Sequence, residues 1–159
     1  MPLERYHGVR VTQSADELVV ARPKTTSVMG ILMPIPSADL PAGMAFNKPI
    51  AIRKPADAAN LPDAVMAEID TALDNGASTI ILVLTSEGTE AAERVTNAVG
   101  DAATKTGVHA FKSAAMLGLP RPKLLVLPGF RAASVAPADP VIAEAITVAN
   151  DIRAQLYVD

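Results

Sequence analysis

The sequence predicts an α/β fold: a small, mainly parallel sheet flanked by helices and preceded by an N-terminal extended arm. Residues 79–84 are a continuous run of β-branched and leucine residues. Because polar residues do not alternate with apolar ones there, this run is typical of a strand covered on both faces. Residues 27–33 and 123–127 have the same character. Helical patterns separate the three runs, which favours parallel strands joined by helices.

The first 25 residues are the least core-like part of the chain. Residues 7–11 alternate apolar and polar side chains as a half-exposed strand does, and residues 17–20 are a second short candidate. For residues 7–11, an ordinary edge strand and an arm that pairs with a neighbouring subunit are both open interpretations. We therefore divide the chain into an arm and inner-region strand, residues 1–25, and an α/β domain, residues 26–159.

The first half of the domain contains two predicted strands and a helix. The strand at residues 27–33 is expected to end at Pro34, and a loop rich in Pro, Gly and Ala leads to a second strand at residues 49–53. The helix is expected to begin with Asn60 as its N-cap and to end at Gly76. Its apolar face contains Val65, Met66, Ile69 and Leu73.

Three further helices are predicted in the second half. One follows a turn at Gly88, and the next covers residues 106–117, with Val108, Phe111 and Ala115 near one face. The last is the best marked, because Asp139 suits the N-cap and Pro140 the first helical position. Its apolar positions are Val141, Ile142, Ala145, Ile146, Ala149 and Ile152. Residues 155–158 then indicate one more strand.

Composition argues against several classes of function. The net charge of −3 gives no electrostatic basis for binding nucleic acid. The absence of cysteine removes disulfides, thiol nucleophiles and cysteine-ligated metals, and with only two histidines a histidine-rich metal site is excluded. The longest apolar run, residues 80–84, is far shorter than the roughly 20 residues that span a bilayer. We predict no membrane-spanning segment.

No residue pattern predicts catalysis. The nucleotide-binding and nucleophile-elbow motifs are absent from the sequence. Residues 85–90 resemble a phosphate-binding turn, but Glu87 and Glu90 would repel an anion, so we interpret the segment as a capped surface turn. His7 and His109 are interpreted as surface or structurally satisfied side chains. We therefore expect no catalytic, cofactor-binding or metal-binding residues, and no enzyme activity.

These segments, in their order and spacing, resemble the N-terminal portion of tail sheath proteins from contractile-tailed phages and R-type bacteriocins. Residues 7–11 look like the opening strand of that family, and residues 27–31 and 46–52 look like its next two strand regions. Residues 106–111 are similar to its segment of Thr-Gly followed by an apolar helix. The most specific matches are residues 121–130 and residues 152–159.

The resemblance implies a structural subunit that assembles in hexameric rings around a tail tube and contracts to drive the tube through a target cell envelope. Its implied partners are other sheath subunits and the tube protein. Its implied location is a virion tail or a released phage-tail-like particle, assembled in the cytoplasm of a host bacterium. The implied intersubunit arm comprises Tyr6, His7, Gly8, Val9, Arg10 and Val11.

Sheath proteins of this kind are considerably longer, so the chain is expected to be truncated relative to the family. An alternative interpretation is a small ligand-binding domain or enzyme of flavodoxin-like shape. This alternative depends on two loops, residues 86–90 and 128–131, that would face a single crevice beyond the strand ends.

Overall fold

The structure, a computed structural model, describes residues 28–130 and 139–157. Within them, five strands form one sheet in the order β2-β3-β1-β4-β5. The strands are β1 (Val28–Ile35), β2 (Ile50–Ile52), β3 (Thr79–Ser86), β4 (Leu124–Val126) and β5 (Gln155–Tyr157). The pairs β1–β3, β1–β4 and β4–β5 are parallel, and only β2 runs antiparallel to its neighbour. The predicted α/β class with a mainly parallel sheet is confirmed.

Helices cover both faces of this sheet. They are α1 (Asp63–Asp74), α2 (Ala91–Val99), α3 (Pro140–Ile152) and a 3₁₀ segment (Gly107–Leu117), besides short 3₁₀ turns at Ser37–Asp39 and Pro55–Ala58. On one face, Ile80 and Leu82 pack in a core with α1 residues. On the other, Ile81 and Val83 pack with α2, α3 and the 3₁₀ segment. Because successive strand side chains point to opposite faces, both sets must be apolar, which explains why β3 lacks polar alternation.

The prediction that the first strand ends at Pro34 is wrong, because β1 continues to Ile35. The carbonyls of Val28 and Ile35 accept hydrogen bonds from Lys123 and Glu87 respectively, so even-numbered residues of β1 direct their backbone groups towards β4. Of the residues in β1, only Met29 to Ile31 pair with β4. Pro34 therefore lies beyond the end of β4, where its missing N–H interrupts no ladder.

Asn60 is not the N-cap of α1. The amides of Val65 and Met66 both donate to the carbonyl of Pro62, so the first helical turn begins there and has no side-chain cap. Asn60 lies too far upstream to reach those amides. The predicted end is confirmed: Gly76 has φ +89 and donates its N–H to the carbonyl of Leu73.

The N-terminus of α3 is confirmed, because Oδ1 of Asp139 accepts the Val141 amide at 2.8 Å. One predicted core position is wrong: Ile146 is 50% exposed, whereas Val148 is fully buried. Ile146 lies about 140° around the helix from Val141. It therefore points away from the sheet despite its apolar side chain.

The predicted helix at residues 106–117 is a 3₁₀ segment, and this changes which residues it buries. Val108, Phe111 and Ala114 are buried, whereas Ala115, predicted for the same face, is exposed. A 3₁₀ helix has three residues per turn, so positions three apart share one face. The segment packs closely on β1, because a Cβ added to Gly30 would lie 2.9 Å from Cε1 of Phe111.

Candidate functional site

The predicted intersubunit arm, Tyr6, His7, Gly8, Val9, Arg10 and Val11, lies outside the residues that the structure describes. The described residues offer two other places for function: the carboxyl ends of the parallel strands, and the two outer edges of the sheet.

The chain reverses its direction of travel across the sheet at β1. After β1, the chain forms β2 and β3 on one side of β1, and it then forms β4 and β5 on the other side. The loops after β1 and β4 therefore diverge, and this is the position at which open α/β sheets bind ligands. Any crevice at this end of the sheet would be bounded by the loops after β1, β3 and β4.

The loop after β3 is capped by the carboxylate of Glu93, which lies in the first turn of α2. Oε2 of Glu93 accepts the backbone N–H of Thr89 at 2.7 Å and its hydroxyl at 3.0 Å. Because the Thr89 backbone and hydroxyl groups stabilise the ionised form, the pKa of Glu93 is lowered. The capped surface turn is the arrangement observed, and Glu93 occupies donors that a bound phosphate would use.

This capping makes stability depend on pH. A carboxylate whose pKa is lowered by folding stabilises the protein above its unfolded-state pKa, about 4.3 for Glu, and that contribution is lost as the pH falls through the lower folded-state pKa. We expect Glu93→Gln to be less stable than wild type at pH 7, with the difference shrinking in acid. Urea unfolding of both proteins from pH 7 to pH 3 measures this. A difference that stays constant with pH would contradict the prediction.

The side chain of Arg94, on α2, contacts the loop that follows β4. Its Cζ atom lies 5.0 Å from the ring centroid of Phe130, a cation–π distance. Its Nη2 atom lies 2.6 Å from the position where a Cβ on Gly129 would be, so a side chain at Gly129 would displace the guanidinium. Arg94 therefore contacts residues 129–130, and it also lines a crevice beside residues 87–90.

The remaining crevice is small and of mixed charge. It has a volume of about 400 Å³ and is lined by Glu87, Gly88, Thr89, Glu90, Ala91 and Arg94. Nε of Arg94 is buried and has no hydrogen-bond partner within residues 28–130 and 139–157. The two glutamates beside it disfavour an anionic ligand.

His109 is buried and lies beside a carboxylate of α3. It is 4% exposed, and its Nε2 lies 3.1 Å from Oε1 of Glu144 on α3. Three residues further along the 3₁₀ segment, Nζ of Lys112 lies 2.6 Å from Oδ2 of Asp151. The two pairs join the 3₁₀ segment to α3. His109 is therefore buried against a partner, and His7 lies outside the described residues.

Sequence reasoning missed the link between Asn47 and the start of the 3₁₀ segment. Oδ1 of Asn47 accepts the backbone N–H of Gly107 at 2.8 Å, across 60 positions of sequence. Asn47 itself has φ +61, a left-handed conformation that asparagine tolerates better than most residues. The only sequence signal for this contact is the Asn-Lys-Pro turn in which Asn47 lies.

The outer strands differ in what they expose. Strand β5, at one edge, presents Tyr157 at 61% exposure, and Gln155 is also exposed. Strand β2, at the other, lies beside a groove of about 570 Å³. In residues 28–130 and 139–157, neither strand has a further strand on its outer side.

The described ranges lack two further kinds of functional feature. No three His, Asp or Glu side chains there are grouped as a metal ion requires. No helix in this part of the chain combines the length and apolar character needed to cross a bilayer.

Comparison with known proteins gives no family for this chain. No protein-family model matches it, and no curated protein matches it significantly.

Proposed function

We propose that this protein is a structural subunit of a contractile phage-type tail sheath. It would assemble in hexameric rings around a tail tube and contract to drive the tube through a target cell envelope. Its partners would be further copies of itself and the tube protein. Its location would be a virion tail or a released phage-tail-like particle, assembled in the cytoplasm of a host bacterium.

One observation carries the proposal. The two segments with the most specific resemblance to sheath proteins, residues 121–130 and 152–159, are separated in sequence but contribute the neighbouring parallel strands β4 and β5. In register, Leu125 lies opposite Leu156. The resemblance therefore follows a structural unit of the fold and not scattered positions. The exposed outer side of β5 is also a surface on which a strand of another subunit can be added.

Assembly is tested by negative-stain electron microscopy of the purified chain, alone and co-expressed with the products of its neighbouring genes. We expect rings or striated tubes. Val9→Asp, on the apolar side of the predicted arm strand, is expected to abolish them, whereas Arg10→Ser, on the opposite side, should leave them intact. Small monodisperse particles alone, even beside a candidate tube protein, would count against a sheath subunit.

The second proposal is a small flavodoxin-like ligand-binding domain or enzyme. The order of the parallel strands, β3-β1-β4-β5, favours it, since doubly wound sheets with this arrangement bind ligands at the reversal point. Thermal-shift measurements with nucleotides, flavins and sugar phosphates test it. A ligand at 100 times its dissociation constant stabilises the folded state by about 2.7 kcal/mol, and no response across the panel would remove this alternative.

A further inference from the structure

We propose that residues 17–20 of this chain add a sixth strand along the outer edge of β2, within the same molecule, and fill the groove beside it. This assigns an occupant to a surface of the α/β domain, and it does not depend on the sheath function.

The groove beside β2 is apolar where it meets the sheet. Pro49 and Ala51 lie on one side of it, and Leu117 and Leu119, at the end of the 3₁₀ segment, lie on the other. Leu117, which lines the groove, is 49% exposed. Covering these side chains would remove apolar surface from water, at about 25 cal/mol for each Å² buried. Residues 18–20 are Leu-Val-Val, the side chains that such a surface favours.

The edge of β2 also offers backbone hydrogen bonds. The carbonyl of Leu84 accepts the Asn47 amide, so even-numbered residues of β3 direct their backbone groups towards β2. Ile50 pairs with Leu82 and Ile52 with Ile80, which leaves the N–H and C=O of Ala51 directed outward. An outward-directed pair on an edge strand is the template on which a further strand forms.

The chain is long enough to reach this edge. Val28, the first described residue, lies at the amino end of β1, and β3 and β2 lie between β1 and the edge. Three strand spacings amount to about 14 Å, whereas residues 21–27, extended, span about 23 Å. A strand that returns to the amino end of β1 runs antiparallel to it, and therefore parallel to β2.

Charge selects this edge over the one formed by β5, which is equally distant from β1. In the parallel arrangement, Asp16 and Glu17 come beside the start of β2, where Lys48 is exposed. The Lys48 side chain has no ion-pair partner among the described residues. At the β5 edge, an antiparallel course would place the same acidic residues beside Tyr157, which carries no positive charge. The β2 edge is therefore the complementary one.

Disulfide trapping tests the position, and the chain suits it because it contains no cysteine. Full-length proteins would carry Ala51→Cys together with Leu18→Cys, Val19→Cys or Val20→Cys, and a matched set would carry Tyr157→Cys in place of Ala51→Cys. We expect at least one Ala51 pair to form an intramolecular disulfide at least tenfold faster than its Tyr157 counterpart. Equal rates, faster Tyr157 pairs, or products that are only disulfide-linked dimers would overturn the proposal.

Hydrogen exchange gives a second measurement without cysteines. The amides of Ala51 and Leu156 both point outward from edge strands, since the Gln155 amide donates inward to Lys123. In the full chain, we expect the Ala51 amide to exchange at least tenfold more slowly than the Leu156 amide. Lys48→Glu should reduce that protection, and adding Glu17→Lys should restore it. An Ala51 amide that exchanges as fast as the Leu156 amide would overturn the proposal independently of the trapping result.

Discussion

Gly107→Ala is expected to lower the free energy of unfolding by about 3 kcal/mol. Gly107 has φ +57, where an L-residue is strained. A Cβ there would lie 2.4 Å from the carbonyl oxygen of Ala98 and 2.6 Å from the nitrogen of Gly100. Both contacts are with backbone, so no side-chain rotation relieves them. The shift needed would also disturb the hydrogen bond from Gly107 to Asn47.

Gly118→Ala is the matched control. Gly118 has φ +72 at the other end of the 3₁₀ segment, but a Cβ built there has no neighbour within 4 Å. Its substitution should carry only the conformational strain, about 1 kcal/mol. Urea unfolding of both variants measures the difference. If Gly107→Ala costs no more than Gly118→Ala, the close approach of residues 98–100 to Gly107 is wrong.

Phe111→Ala is expected to cost about 4 kcal/mol. Phe111 is 1% exposed and belongs to the core between the sheet and the 3₁₀ segment, so its truncation leaves a cavity. Ile146→Ala, on the outer side of α3 at 50% exposure, should cost less than about 1 kcal/mol. The measurement is again urea unfolding, with Ile146→Ala as the comparison for a loss of apolar volume without burial.

A double-mutant cycle keeps this prediction testable if Phe111→Ala does not fold, with Phe111→Leu in its place. A Cβ at Gly30 would lie 2.6 Å from Cδ2 of Leu125 and 2.9 Å from Cε1 of Phe111. Gly30→Ala should therefore be less destabilising when Phe111 is replaced by a smaller residue, because residues in contact are energetically coupled. Additive effects of the two substitutions would contradict the packing of Phe111 against Gly30.

The elements that sequence predicts well are those determined by local or strongly apolar patterns. Strand β3 has no polar alternation because both its faces are covered, and α3 begins where Asp139 caps and Pro140 follows. The extension of β1 through Pro34 depends instead on the length of a different strand, β4. A proline is tolerated in a strand if the neighbouring strand ends before it reaches the proline. Here the neighbouring strand is β4, which lies about 90 positions away in the sequence.

The 3₁₀ geometry of residues 107–117 and the contacts between loops could not be predicted from the sequence either. Over so short a stretch, the apolar residues of this segment fit the period of a 3₁₀ helix as well as that of an α-helix. Packing against Gly30 decides between the two kinds of helix. The capped turn at residues 85–90 was predictable because Thr89 and Glu93 are local. The stacking of Arg94 on Phe130 joins helix α2 to the loop after β4 and has no local signal.

The three-residue period of the 3₁₀ segment constrains how its length can change in evolution. Val108, Phe111 and Ala114 form the ridge that faces the sheet, and His109 and Lys112 form the one that meets α3. One residue inserted between Lys112 and Ala114 would rotate everything after it by about 120°. Ala114 would leave the core, and a residue of another ridge would replace it. Homologous chains that keep this packing should therefore differ in length here by whole turns of three residues.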